Sequence, residues 1–165
     1  MTAHLSPAER RSHRKLAASC FNRTWTLLLK KRRSRADDLD MIHTAHASRY
    51  HWGLVGKPIN LAIGEWQISR VYATLRRPEP SLYHAKRSLE VCRSHGIRDF
   101  PLAFAYEALA RAYAVAGDAR GMKRFLGHAR ATAKTIKDEE DRKVLFDDLA
   151  TIARARRGRR RRRMA

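Results

Sequence analysis

Residues Ala103 to Ala133 constrain this chain most, because their apolar positions recur at helical spacing on both sides of one tight break. Met122, Leu126, Ala129 and Ala133 follow one another at intervals of three and four, which lines one face of a helix. The segment before them carries Leu109, Ala110, Tyr113 and Ala116, and Gly117-Asp118 separates the two. A small residue beside a Leu lets two helices approach closely, and Tyr113 fills the space beneath the turn. The pattern predicts an antiparallel helical hairpin, and it predicts that the rest of the chain is built from others like it.

Taken in order, the chain supplies those others. Leu16, Cys20, Trp25, Leu28 and Leu29 predict a helix from about residue 14 to 31, after a flexible basic arm over 1–13. Within that arm Ser6-Pro7-Ala8-Glu9 has the chemistry of a helix start. Asp38 to Leu54 reads as a second helix, with Leu39, Ile42, His43, His46, Tyr50 and Gly53 on one face. Ile59 to Leu75 is apolar on two sides, with Ile59, Ile63, Trp66 and Ala73 on one and Leu61, Ile68, Tyr72 and Leu75 on the other. A helix of that kind is packed on both sides, so it is expected at the centre. Pro78 and Pro80 stop it, and Ser81 is expected to cap a helix with the stripe Leu82, Ala85, Leu89 and Cys92. Gly96 closes that helix in the left-handed conformation. Asp99-Phe100-Pro101 opens the hairpin of the first paragraph, and Asp138 to Asp141 opens a last helix bearing Val144, Leu145, Leu149 and Ile152.

The expected fold is therefore all-α, with about seven helices stacked as antiparallel hairpins and with disordered basic ends. One domain spans 14–153, divided into an N-terminal pair over 14–55, units over 58–96 and 101–136, and a capping helix over 138–153. Lys and Arg number 36 against 16 Asp and Glu, a net +20. Residues 1–35 carry +9 of it and residues 154–165 carry +8, which leaves the folded part nearly balanced and assigns the basic character to the arms. Cys20 and Cys92 stand outside any metal-spaced pair and predict reduced thiols and a cytoplasmic location. No apolar run approaches membrane-spanning length, so no membrane partner is expected.

Ala103 to Ala133 resembles a tetratricopeptide repeat. Leu109-Ala110, Tyr113, Gly117-Asp118, Leu126 and Ala129 stand where that family places its conserved small and large residues, while Met122 replaces a small one and Lys134 replaces the closing Pro. Ile68-Ser69, Tyr72, Ala85, Leu89 and Cys92 repeat the order with a turn about four residues longer. The whole is similar to small bacterial proteins with a His-rich helix ahead of such hairpins, a likeness that implies no activity. The resemblance implies a right-handed array that binds a protein or peptide along the first helix of each pair. Carried over, that groove comprises Ile63, Trp66 and Arg70 from one unit and Phe104, Glu107 and Arg111 from the next. Arg70 and Arg111 have the chemistry to hold a partner carboxylate, and the competing reading makes Trp66 core and pairs Arg70 with Glu65 or Glu107.

Other residues offer other chemistry. His43, His46 and Tyr50, with Glu65 on the next helix, are the candidate ligand or metal cluster, since two His three apart share a helix face. They lack the HEXXH and ExxH patterns, so core or half-exposed histidines are the competing reading, and no cofactor or catalytic residue is assigned. His84 and His128 read as surface residues, and Cys92 as inert core. Ser69 and Ser88 lack a nucleophile elbow, and the chain has neither a GxGxxG nor a P-loop pattern. The tail arginines Arg156, Arg157, Arg159, Arg160, Arg161, Arg162 and Arg163 are candidate phosphate contacts, against a solubilising tail as the alternative. The first expectation is thus a non-enzymatic protein-interaction module, compatible with a homodimer. A nucleic-acid-associated protein is the second and a metal-binding helical protein the third.

Overall fold

Hydrogen bonds at the helix starts set the element boundaries. A computed structural model of the chain describes residues 5–163, with side chains through Ile152. Seven helices follow in order: α1 (Pro7–Leu28), α2 (Arg35–Val55), α3 (Pro58–Thr74), α4 (Pro78–Ser94), α5 (Asp99–Ala116), α6 (Ala119–Ala133) and α7 (Glu139–Arg163). At α1 the Ser6 hydroxyl accepts from the Glu9 N–H and the Glu9 carboxylate accepts from the Ser6 N–H. Ser34 and Asp37 make the same reciprocal cap at α2. Each cap satisfies backbone donors that the helix itself leaves unpaired. Asp118 and Asp138 accept from first-turn N–H groups of α6 and α7.

Several boundaries differ from expectation for local reasons. The Ser6–Glu9 cap starts α1 at Pro7, so residues 7–13 are helical rather than a flexible arm. Helical backbone in α7 runs to Arg163, past the boundary drawn at 153, because Arg is a good helix former and acids in the first turn suit the helix dipole. The side chains of Arg156, Arg157 and Arg159 to Arg163 lie outside the described residues. Ser81 does not cap α4, which begins at Pro78. It is buried inside the helix, where its hydroxyl donates to the Ser69 carbonyl at 3.0 Å and the Ser69 hydroxyl donates to the Ser81 carbonyl at 2.9 Å. The α3–α4 connection is therefore only Leu75 to Arg77, not a long turn. Helices α3, α4 and α5 end alike: the N–H groups of Arg77, Ile97 and Asp118 reach back to the carbonyls of Tyr72, Cys92 and Tyr113. The residue before each donor is left-handed, at φ 61° for Arg76, 62° for Gly96 and 84° for Gly117. Glycine takes that conformation without a Cβ penalty.

Successive helices pack as hairpins, α1–α2, α3–α4 and α5–α6, and α7 closes on α5 and α6. α3 touches α1, α2, α4 and α5, the central place that its two apolar faces predict. The backbones of the odd-numbered helices lie beside one another in succession, whereas those of α2, α4 and α6 lie beside odd-numbered neighbours only. Two layers result, an inner one of α1, α3, α5 and α7 and an outer one of α2, α4 and α6. Leu27, Met41, Ala45, Ile68 and Val71 form the core at one end. Phe104, Met122, Leu126, Leu145 and Leu149 form it at the other. α5 is lined with Ala103, Ala105, Ala108, Ala110 and Ala112, all buried, which lets its neighbours approach the backbone closely. Buried serines tie the hairpins: Ser48 donates to the Ala17 carbonyl at 2.8 Å and Ser88 to that of Ala62 at 2.9 Å. The apolar faces expected of α1 and α2 are corrected. α1 buries Ala17, Thr24 and Leu27 and exposes Leu16 and Leu29. α2 buries Met41, Ala45, Ser48 and Val55, which turns its Leu39, His43, His46 and Tyr50 face outward.

Candidate functional site

Two charged side chains are buried among the described residues, Glu65 on α3 and Glu107 on α5. Each gathers a cluster. Glu107 has no solvent contact. Its carboxylate accepts from Arg111 Nε at 2.6 Å, from Arg70 Nη1 at 3.2 Å and from Trp66 Nε1 at 3.2 Å. Arg70 continues to Asp148 of α7 at 2.6 Å, and Arg111 reaches the Asp148 carbonyl and the Thr151 hydroxyl, each at 3.0 Å. The Trp66 ring lies 5.4 Å from that of Trp25 and 5.0 Å from that of Phe104. A fully desolvated carboxylate is tolerated here because two guanidinium groups and an indole N–H fill its acceptor sites.

This cluster contains five of the six residues carried over as a partner groove, and the sixth, Ile63, is half-buried on the same helix as Trp66. Their polar atoms face one another and α7. The carboxylate expected from a partner is supplied by the chain's own Glu107 and Asp148, because α7 packs onto α5. Trp66 and Arg70 thus follow the competing reading, with the indole packed against core rings and Arg70 paired with Glu107.

Glu65 is bound differently. Arg49 of α2 donates Nε to it at 2.9 Å, and Nδ1 of His84 on α4 lies 2.7 Å from its other oxygen. These partners hold the carboxyl below its ordinary value even though burial, the largest influence, pushes it up. Tyr72 stacks on the His84 ring at 5.8 Å, and the His46 ring meets His84 edge-on at 5.3 Å. His46 Nε2 bonds the Tyr72 hydroxyl at 3.1 Å. Burial and the neighbouring His84 lower the pKa of His46. Gly64 makes the Arg49 path feasible: a Cβ there would lie 2.8 Å from Arg49 Cδ.

The structure therefore brings His46 and Glu65 into one cluster and leaves His43 and Tyr50 outside it on the exposed face of α2. His84, read as a surface residue, is instead central. A signal for it existed, since Ser81, His84 and Ser88 continue at helical spacing along the edge of the buried α4 stripe. The cluster orients an imidazole through a carboxylate. Among the described residues no group of three or more His, Cys, Asp or Glu is placed to hold a metal ion. Ser69 and Ser88 are hairpin ties, and burial pushes the Cys92 thiol up to about 11, which makes it a poor nucleophile at neutral pH.

The outward face of α2 adjoins this cluster. Leu39, His43, His46, Tyr50 and Leu54 lie along it at intervals of three and four, with Tyr50 63 % exposed. Tyr83 of α4, also exposed, stands beside His84. A second groove in the outer layer, between α4 and α6, encloses about 410 Å³ over Leu89, Leu109, Tyr113 and Phe125. No helix among the described residues is long and apolar enough to cross a membrane. Comparison of the chain with protein-family models, with curated proteins and with solved structures finds no match, so what it resembles is carried by its own helices: a seven-helix domain of consecutive hairpins.

Proposed function

We propose that the protein is a non-enzymatic scaffold of tetratricopeptide-like architecture that binds a protein or peptide partner on its outer layer. One observation carries the reading. Leu39, Tyr50 and Leu54 are large, apolar and exposed on a single face of α2, with His43 and His46 between them, and Tyr83 is exposed on α4 beside His84. Large apolar side chains exposed together on one helix face mark a surface suited to contact with a partner. The proposed groove residues Ile63, Trp66, Arg70, Phe104, Glu107 and Arg111 enter as the frame that holds α3, α5 and α7 in place. The placement of Tyr113 over Gly121, 2.6 Å from where a Cβ would sit, supports the repeat-like reading of the second hairpin.

The test is a photo-crosslinking residue at position 50, with exposed position 11 of α1 as control, in the protein's own cells. A discrete adduct at 50 that is absent at 11, and that Leu54→Glu abolishes, is the expected result. Matching patterns at both positions, or no adduct at 50, would remove the reading.

A further inference from the structure

We infer that the outward face of α6 binds the phosphate backbone of duplex DNA without regard to sequence. This goes beyond the protein-binding reading and uses a different helix. Arg120, Lys123, Arg124 and Arg130, with Lys134 at the C-cap, are all exposed, and none of them is in an ion pair among the described residues. At about 100° per residue they fall within roughly 120° of arc, centred about 130° around the helix from the buried Met122, Leu126, Ala129 and Ala133. α6 itself carries no acid. Asp118 bounds the stripe at one end, occupied as the helix cap, and Asp138 to Asp141 bound it at the other.

Gly127 lies at the centre of the stripe. Glycine in a helix interior is destabilising relative to alanine, and nothing in the fold requires it here, because a Cβ at Gly127 would meet no atom within 4 Å. With exposed Ala131 it forms a low strip, bordered by Lys123, Arg130 and Lys134 on one side and by Arg124 on the other, with Arg120 in line with it at its N-terminal end. Cations on both sides of a flat centre suit the two phosphate walls of a B-form major groove, about 12 Å wide, which admits one helix of about that diameter. Gly and Ala present no polar group to base edges, so the contact reads charge and shape alone. The neighbouring rings are stacked on each other, Tyr106 on His128 and Tyr113 on Phe125, which favours a duplex over stacked single-strand bases.

The test measures anisotropy of a labelled DNA duplex of about 20 base pairs with the full chain across a salt series. Replacing Lys123, Arg124, Arg130 and Lys134 by Gln is expected to lower the log–log salt slope by about 3 to 4 and to weaken binding at least about tenfold at 0.15 M salt. Replacing the equally exposed Arg10, Arg11, Arg14 and Lys15 of α1 by Gln removes the same charge and is expected to cost much less. Gly127→Leu separates site from fold, since it should raise the melting temperature yet weaken DNA binding several-fold. Duplex RNA, whose major groove is deep and narrow, is expected to bind more weakly. Equal loss in the α1 and α6 variants, full retention by the α6 variant, unchanged binding by Gly127→Leu, equal affinity for duplex RNA, or binding only to anionic lipid vesicles or an acidic protein would each overturn the proposal.

Discussion

Glu65 and Glu107 are the same residue in adjacent hairpins, each buried on an inner helix, yet their partners make them opposites. Glu107 is closed in by Arg70 and Arg111, whose charge does not change with pH, and by the Trp66 indole, under a helix that arrives last in the chain. Glu65 has one guanidinium partner, Arg49, and one imidazole partner, His84, beside a second imidazole and a face open to solvent. The first is a fastener between α3, α5 and α7. The second joins α2, α3 and α4 at the edge of the outer surface. Burial alone does not decide what a carboxylate does; the groups that close around it do.

Four measurements sharpen or break that contrast. Glu107→Gln leaves two half-enclosed guanidinium groups without their shared anion and is expected to destabilise the fold by about 3–5 kcal/mol in chemical denaturation. A loss no greater than that of Glu65→Gln would end the contrast. Glu65→Gln is expected to cost less, about 1.5–3 kcal/mol, because Arg49 has solvent within reach. Gly64→Ala drives a methyl against Arg49 Cδ, and a loss of about 1 kcal/mol is expected, with no further effect when Arg49→Ala is already present. The smallest effect is a pH dependence. His46 has a folded pKa below its ordinary value of 6.5, so its neutral form is favoured by the fold. Its contribution is complete above that value and declines as pH falls below it, where the unfolded chain takes up the proton first. Glu65, with a folded pKa below 4.5, keeps its contribution above that value and loses it as pH falls through the folded one. Thermal melts should therefore show two acid steps, of which His46→Asn reduces the upper, shared with His51, and Glu65→Gln the lower, shared with Glu9 and Asp37. A single step unaffected by either variant would contradict the assignment.

The difference between the clusters also explains which residues could be read in advance. The likeness to tetratricopeptide repeats groups Trp66, Arg70, Glu107 and Arg111, by placing them at corresponding positions of two hairpins. What they bind was not visible, since Asp148 and Thr151 come from a helix far along the chain. His43 and His46 share a helix face, yet only His46 meets Glu65's cluster, because α4 delivers His84 opposite one and not the other. The charge followed the same logic. The near balance of residues 36–153 suggested a neutral body with basic arms, but two of its acids are buried and others cap helices, while the cations of α6 are all outward. A small net charge concealed a large local one.

The sequence by itself determined the seven helices, their order and most of their ends. Those depend on interactions within a few residues: Asp118 at the start of α6, Gly96 and Gly117 in left-handed turns, and apolar spacing of three and four. It erred on Ser81, whose capping chemistry was outweighed by the Pro78 start and by a hydrogen bond to Ser69 on another helix. Only the tertiary structure decided which face of α2 is covered, which partners close around each buried glutamate, and that α6 and its C-cap turn five cations to one side. Each of those outcomes depends on which distant segment lies alongside, and packing, unlike a helix cap, is settled by the whole chain at once.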